Sequence, residues 1–135
     1  MGGEKESSMR ENDFTGLIVD AAFKIHTTLG PGLLESVYER VLEHELKRRG
    51  LRVKRQVTIP VIYEGLTLDD GFRADLNVEG LVIIELKSVE AVAPVHKKQV
   101  LTYLRLSGLR VGLLLNFGAP LMKDGIFRIA NGMTD

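Results

Sequence analysis

Apolar positions recur at helical spacing in the first part of this chain, then with a period of two, then as short unbroken runs. Phe14, Leu17, Ile18, Ala21, Ala22, Ile25 and Leu29 form one stripe of a helix starting at Asp13 or Thr15. Gly30-Pro31-Gly32 ends it sharply. A second helix follows over residues 33–49, with Leu34, Val37, Tyr38, Val41, Leu42 and Leu46 apolar and Gly50 just past its end. Val53, Val57, Ile59 and Val61 then mark a strand within residues 51–63, turning at Glu64-Gly65. Residues 71–87 read as two more strands about a tight turn at Glu79-Gly80. In the first, Phe72, Ala74, Leu76 and Val78 point one way and Arg73, Asp75 and Asn77 the other. The second, residues 81–86, is the apolar run of a strand covered on both faces. A loop of small residues ending at Pro94 leads to a third helix, residues 96–106, closed by Gly108. Residues 110–117 form another apolar strand, and residues 125–129 a last edge strand. The order αα-βββ-α-β(β) predicts an α/β (α+β) domain, a mixed central sheet flanked by helices.

The alternation also carries the candidate chemistry. Folding the hairpin about Gly80 sets Asp75 opposite, or nearly opposite, Glu85. Like charges at that distance destabilise a sheet, and two carboxylates in an apolar setting do not both stay ionised without compensation. A divalent cation supplies it, and hard oxygen ligands suit Mg²⁺. Lys87, one pleat beyond Glu85, reaches the same pocket as a point charge or proton carrier. Glu35 shares a helix flank with Tyr38, Leu42 and Leu46. It is either a first-turn acid favoured by the helix N-terminus or a third carboxylate aimed at the sheet, and periodicity does not choose. Gln99 and Tyr103 are one helical turn apart on a common face of the third helix.

Composition narrows the picture. At 135 residues the chain holds one domain with a real core, residues 13–131, after a polar segment of residues 1–12 expected to be disordered. Cysteine is absent, which excludes disulfides, thiolate catalysis and zinc-thiolate sites. No signal core or bilayer-length apolar run is present, so a cytoplasmic protein without membrane association is expected. Lys plus Arg equals Asp plus Glu, 18 against 18, which argues against coating nucleic acid by bulk charge. A local basic rim exists at Lys47, Arg48, Arg49, Arg52, Lys54 and Arg55, and again at His96, Lys97 and Lys98. For residues 47–49, solvation and the helix dipole are the simpler explanation.

Gly32-x-x-Glu35-x-x-Tyr38, after Leu29-Gly30-Pro31, resembles the signature of the GxxExxY proteins. Asp75 followed by Glu85-x-Lys87 is similar to the motif of the PD-(D/E)xK nuclease superfamily, to which those proteins are assigned, and Gln99-x-x-x-Tyr103 resembles the helix motif of its RecB-like branch. The resemblance runs from about Phe14 to Ile129; Ala74 stands where the motif's name has Pro. It implies a restriction-endonuclease-like core and a metal-dependent nuclease acting on DNA. Asp75, Glu85 and, from the helix, Glu35 would hold Mg²⁺ or Mn²⁺. Lys87 would orient or deprotonate the attacking water, or stabilise charge on the phosphorane. Gln99, Tyr103 and Tyr38 would brace the site or touch nucleic acid. The alternative is a relict nuclease-fold module that acts with a partner, as an accessory protein or a homodimer.

Overall fold

The computed structural model describes residues 3–132, with side chains from Arg10 onward. Two helices, α1 (Gly3–Leu29) and α2 (Glu35–Arg48), come first. Strands β1 (Val53–Tyr63), β2 (Leu66–Val78) and β3 (Val82–Lys87) follow as a meander. Helix α3 (Pro94–Ser107), strand β4 (Val111–Asn116), a 3₁₀ turn (Met122–Gly125) and strand β5 (Ile126–Ala130) complete the chain. The five strands form one mixed sheet in sequence order. All neighbours are antiparallel except β3 and β4, which are parallel and joined through α3, since parallel neighbours need a long crossover.

Two cores lie on the two faces of this sheet. One gathers Ile18, Ala21, Ala22 and Ile25 of α1 and Tyr38, Leu42 and Leu46 of α2 over Leu76, Val78, Val82, Ile84, Leu86, Val111, Leu113 and Leu115. The other sets Val100 and Leu104 of α3 over Ile59, Ala74, Ile83 and Leu114. The continuous apolar runs of β3 and β4 follow from this, because each strand feeds both cores. Gly112 lets α3 approach closely: a Cβ there would stand 2.9 Å from Val100 Cγ1. Helix α3 starts at Pro94, suited to a first helical position, and ends at Gly108 with φ 73°. Among the described residues no helix is long and apolar enough to cross a membrane.

Three local expectations are corrected. Phe72, Ala74, Leu76 and Val78 do not share one face. Leu76 and Val78 pack beneath α1 and α2, whereas Ala74 and Phe72 pack with α3. The switch falls at a gap in the β1–β2 ladder: Arg55 pairs with Leu76 and Val57 with Ala74 in one register, but Gln56, at φ 55°, and Asp75 between them form no ladder pair.

The second correction concerns the N-terminal segment. Met1 and Gly2 lie outside the described residues, but residues 10–12 belong to α1 rather than to disordered chain. Glu11 is only 2% exposed, with Arg110 Nη1 at 4.0 Å, and Arg128 Nη2 donates to Asn12 Oδ1 at 2.9 Å. Arginines flanking β4 and within β5 hold this turn, and no apolar stripe announces such contacts. The third is small: Leu34 precedes α2 as its cap residue and is 72% exposed, so it stands outside the buried stripe.

Candidate functional site

The β2–β3 hairpin turns at Glu79-Gly80, both at positive φ, and its register pairs Leu76 with Ile84. Continued by one residue, that register sets Asp75 opposite Glu85. At that step the two side chains replace the backbone ladder. The Asp75 N–H donates to Glu85 Oε1 at 3.1 Å, and the Leu86 N–H donates to Asp75 Oδ2 at 2.8 Å. Each carboxylate is thus tied to the other's strand by a hydrogen bond to a charged acceptor, stronger than a neutral one. Glu85 keeps a second oxygen for other work, and Asp75 Oδ1 meets the Gln56 amide at 3.4 Å.

The electrostatics are unfavourable as they stand. Burial pushes the Glu85 carboxyl up to about 8, and the charge of Asp75 adds to the shift. Asp75 is raised as well, first by burial; Glu35 adds to it, while the N–H of Leu86, the amide of Gln56 and the charge of Lys87 oppose it. Lys87 acts on both acids through space, yet among the described residues it forms no ion pair within 4.0 Å. Two half-buried carboxylates therefore lie together without a contacting cation among the described residues.

Helix α2 brings two more acids towards this point. Glu35, its first residue, lines a cavity of about 240 Å³ together with Ser36, Glu39, Gln56, Asp75 and Leu86. Glu35 is itself exposed, and its charge raises both Asp75 and Glu85, so it borders the cavity from its solvent side. Glu39, one turn later, was not singled out by the sequence reading. It is 7% exposed, accepts from Gln56 Nε2 at 2.5 Å and lies 3.5 Å from Arg55 Nη1. Burial raises its pKa and Asp75 adds to the shift. The available signal was its spacing of one turn from Glu35, masked because Glu39 also continues a polar run with Arg40.

The remaining expected residues divide. Tyr103 is half-buried, stacked on Phe72 with ring centroids 3.5 Å apart, and its hydroxyl is raised by burial and by the charges of Glu85 and Asp75. Helix α3 therefore flanks the carboxylates from the side opposite α2. Gln99, one turn earlier, is exposed. Tyr38 is fully buried and stacked on Phe117; its hydroxyl donates to Gly30 O and accepts from the Leu33 N–H at 3.2 Å. It braces the loop that presents Glu35 and does not reach the cavity surface.

The segment after Lys87 is fixed too. The Asn116 side chain bonds both the N–H and the carbonyl of Val89, and Ser88 Oγ donates to Leu33 O at 2.6 Å. Gly118 is required there, because a Cβ would stand 2.3 Å from Val89 O. These contacts join the end of β3 to the start of α2, setting Lys87 relative to Glu35.

The donor set suits a hard divalent cation: carboxylate oxygens only, with negative charge that no described protein cation contacts. Among the described residues no group of three or more His, Cys, Asp or Glu side chains is placed to hold a metal ion by itself. A cation held by Asp75 and Glu85 would draw its other ligands from water and substrate, as Mg²⁺ commonly does. Part of the basic rim is used internally: Lys47 pairs with Glu43, Arg49 with Asp20 and Glu45, Arg52 with Glu79, and Arg55 with Glu39 and Glu43, whereas Arg48, Lys54, Lys97 and Lys98 are exposed.

No curated protein and no solved structure matches this chain. The model of the PD-(D/E)XK nuclease superfamily matches residues 12–129, a span that includes most of α1, all of α2, the Asp75–Glu85 hairpin, Lys87 and α3. A mixed five-stranded sheet with helices on both faces agrees with that superfamily's restriction-endonuclease-like fold. Nuclease chemistry and a nucleic-acid substrate follow from membership at that level, and its members generally use divalent metal ions. On sequence and architecture together, the chain belongs to the PD-(D/E)XK nuclease superfamily.

Proposed function

We propose that this protein is a Mg²⁺- or Mn²⁺-dependent phosphodiesterase acting on DNA, of the GxxExxY family and the RecB-like branch. One observation carries the reading: Asp75 and Glu85 are locked to each other's strands, both shifted toward the protonated form, with no cation among the described residues in contact. A bound divalent ion would polarise the scissile phosphate and lower the pKa of a water. The chain's own residues supply the rest. Asp75 and Glu85 hold the charge, and Glu35 faces it across the cavity, acting directly or through water. Lys87 presents an ammonium beside the carboxylates, where it orients the attacking water or meets charge on the phosphorane. Tyr103 and Gln99 form the flank on which the substrate rests.

The test is cleavage of single-stranded, double-stranded and branched DNA and of RNA, with Mg²⁺ and Mn²⁺, by wild type and Asp75→Ala. Calorimetry measures metal binding in parallel. Binding and cleavage in wild type, both lost in Asp75→Ala, support the reading. Metal binding that survives Asp75→Ala removes the site from the hairpin.

A second reading rests on the ion pairs that tie up Lys47, Arg49, Arg52 and Arg55, which reduce the positive charge this part of the rim offers to nucleic acid. In that reading the domain is a relict or partner-dependent module, working with an accessory protein or as a homodimer. Metal binding without cleavage of any substrate by the purified protein favours it.

A further inference from the structure

Among the described residues, Gln56 is the one position inside a strand, away from the turns, that adopts a left-handed backbone without being glycine. Such a conformation persists only where its surroundings impose it, and it clusters at functional sites. Its effect here is directional. Consecutive side chains of a regular strand point to opposite faces. Arg55 and Gln56 nevertheless both reach Glu39 on α2, the guanidinium at 3.5 Å and the amide nitrogen at 2.5 Å. The same amide nitrogen lies 3.4 Å from Asp75 Oδ1. An amide NH₂ carries two hydrogens, and both acceptors in reach are carboxylates, so the nitrogen rather than the oxygen must face them.

We infer that Gln56 is a positioning residue for Asp75, and that Glu39 anchors it. The inference rests on the proposed metal site. Asp75 is fixed at Oδ2 by the Leu86 N–H and steered at Oδ1 by Gln56, which is itself held by buried Glu39 against Arg55. The choice of an amide is chemically specific. A lysine or arginine at this place would form an ion pair and compete with a metal for Asp75. A neutral donor orients the carboxylate and leaves its charge available. Partners of this kind commonly set metal affinity by about ten- to a hundredfold.

The test separates backbone from side chain. Mn²⁺ titration calorimetry and denaturant unfolding are run on wild type, Gln56→Gly, Gln56→Ala and Glu39→Gln. Glycine tolerates the positive φ without strain, so Gln56→Gly is expected to be at least as stable as Gln56→Ala, while both variants lose roughly tenfold or more in Mn²⁺ affinity. Glu39→Gln, which removes the anchor charge, is expected to weaken Mn²⁺ in the same direction. A merely structural role predicts altered stability with unchanged affinity. Wild-type affinity in Gln56→Gly, in a protein whose wild type binds Mn²⁺, overturns the inference alone. No Mn²⁺ binding by wild type overturns the metal site and this inference with it.

Discussion

Two groups of carboxylates in this protein behave in opposite ways. Glu45 on α2 accepts from Lys24 Nζ at 3.0 Å and from Arg49 Nε at 2.9 Å, and these partners lower its pKa. Glu79, at the β2–β3 turn, accepts from the Arg52 N–H and guanidinium and is lowered as well. Asp75 and Glu85, only a few residues along the strands from Glu79, are raised. A carboxylate is thus stabilised as an anion where its lysine or arginine contacts outweigh burial, as at Glu45 and Glu79, and destabilised where burial outweighs its partners, as at Asp75, Glu85 and, even beside Arg55, Glu39. Acids of the first kind secure the fold. Acids of the second kind leave charge to be satisfied from outside, which is what a cation-binding site requires.

The strongest way to break this contrast is Lys87→Met. If Lys87 serves chemistry, cleavage falls by about 10²–10⁴-fold while thermal stability and Mn²⁺ affinity hold. Should it instead neutralise Glu85, stability drops and metal restores it. Parallel melting curves, calorimetry and single-turnover cleavage distinguish the two.

A pH series sharpens the comparison next. The folded Glu85 carboxyl titrates at about 8 against 4.5 for its ordinary value, so between these values the native state binds more protons than the unfolded chain. Stability of the metal-free protein therefore falls as pH rises from about 5 to 8, by an amount on the order of a few kcal/mol, at about 1.4 kcal/mol per unit. Glu45 works the other way: its contribution is present above its ordinary value and is lost as pH falls below it. Denaturant unfolding at pH 5, 6.5 and 8 measures the slope, which Glu85→Gln is expected to flatten and saturating Mg²⁺ to offset.

Glu35→Gln is expected to weaken Mn²⁺ roughly tenfold with little change in stability, because its charge faces the pair across the cavity. An unchanged calorimetric affinity would return Glu35 to the role of a first-turn acid. Glu45→Gln is the control from the other group. It costs about 1 kcal/mol by loss of the Lys24 and Arg49 contacts and leaves Mn²⁺ affinity alone.

Much of this was legible in one dimension. The helical stripe of Ile18, Ala21, Ala22 and Ile25, the period-two run from Val53, the turns at Gly65 and Gly80 and the apolar strands β3 and β4 all follow from local spacing. Asp75 and Glu85 meet because a hairpin register is fixed by its turn, a short-range property. Tertiary structure decided what depends on neighbours distant in the chain. The reversal of β2 at Asp75 lies opposite the left-handed Gln56 on another strand, and neither residue betrays it in its own alternation. Glu39 reads as one more polar helix residue until Gln56 and Arg55 reach it. Lys47, Arg49, Arg52 and Arg55 read as free charge until Glu43, Glu45, Asp20 and Glu79 are found beside them. Periodicity reports which way a side chain points along its own element. Which charges meet, and so which acids remain uncompensated, is set by how elements pack against one another.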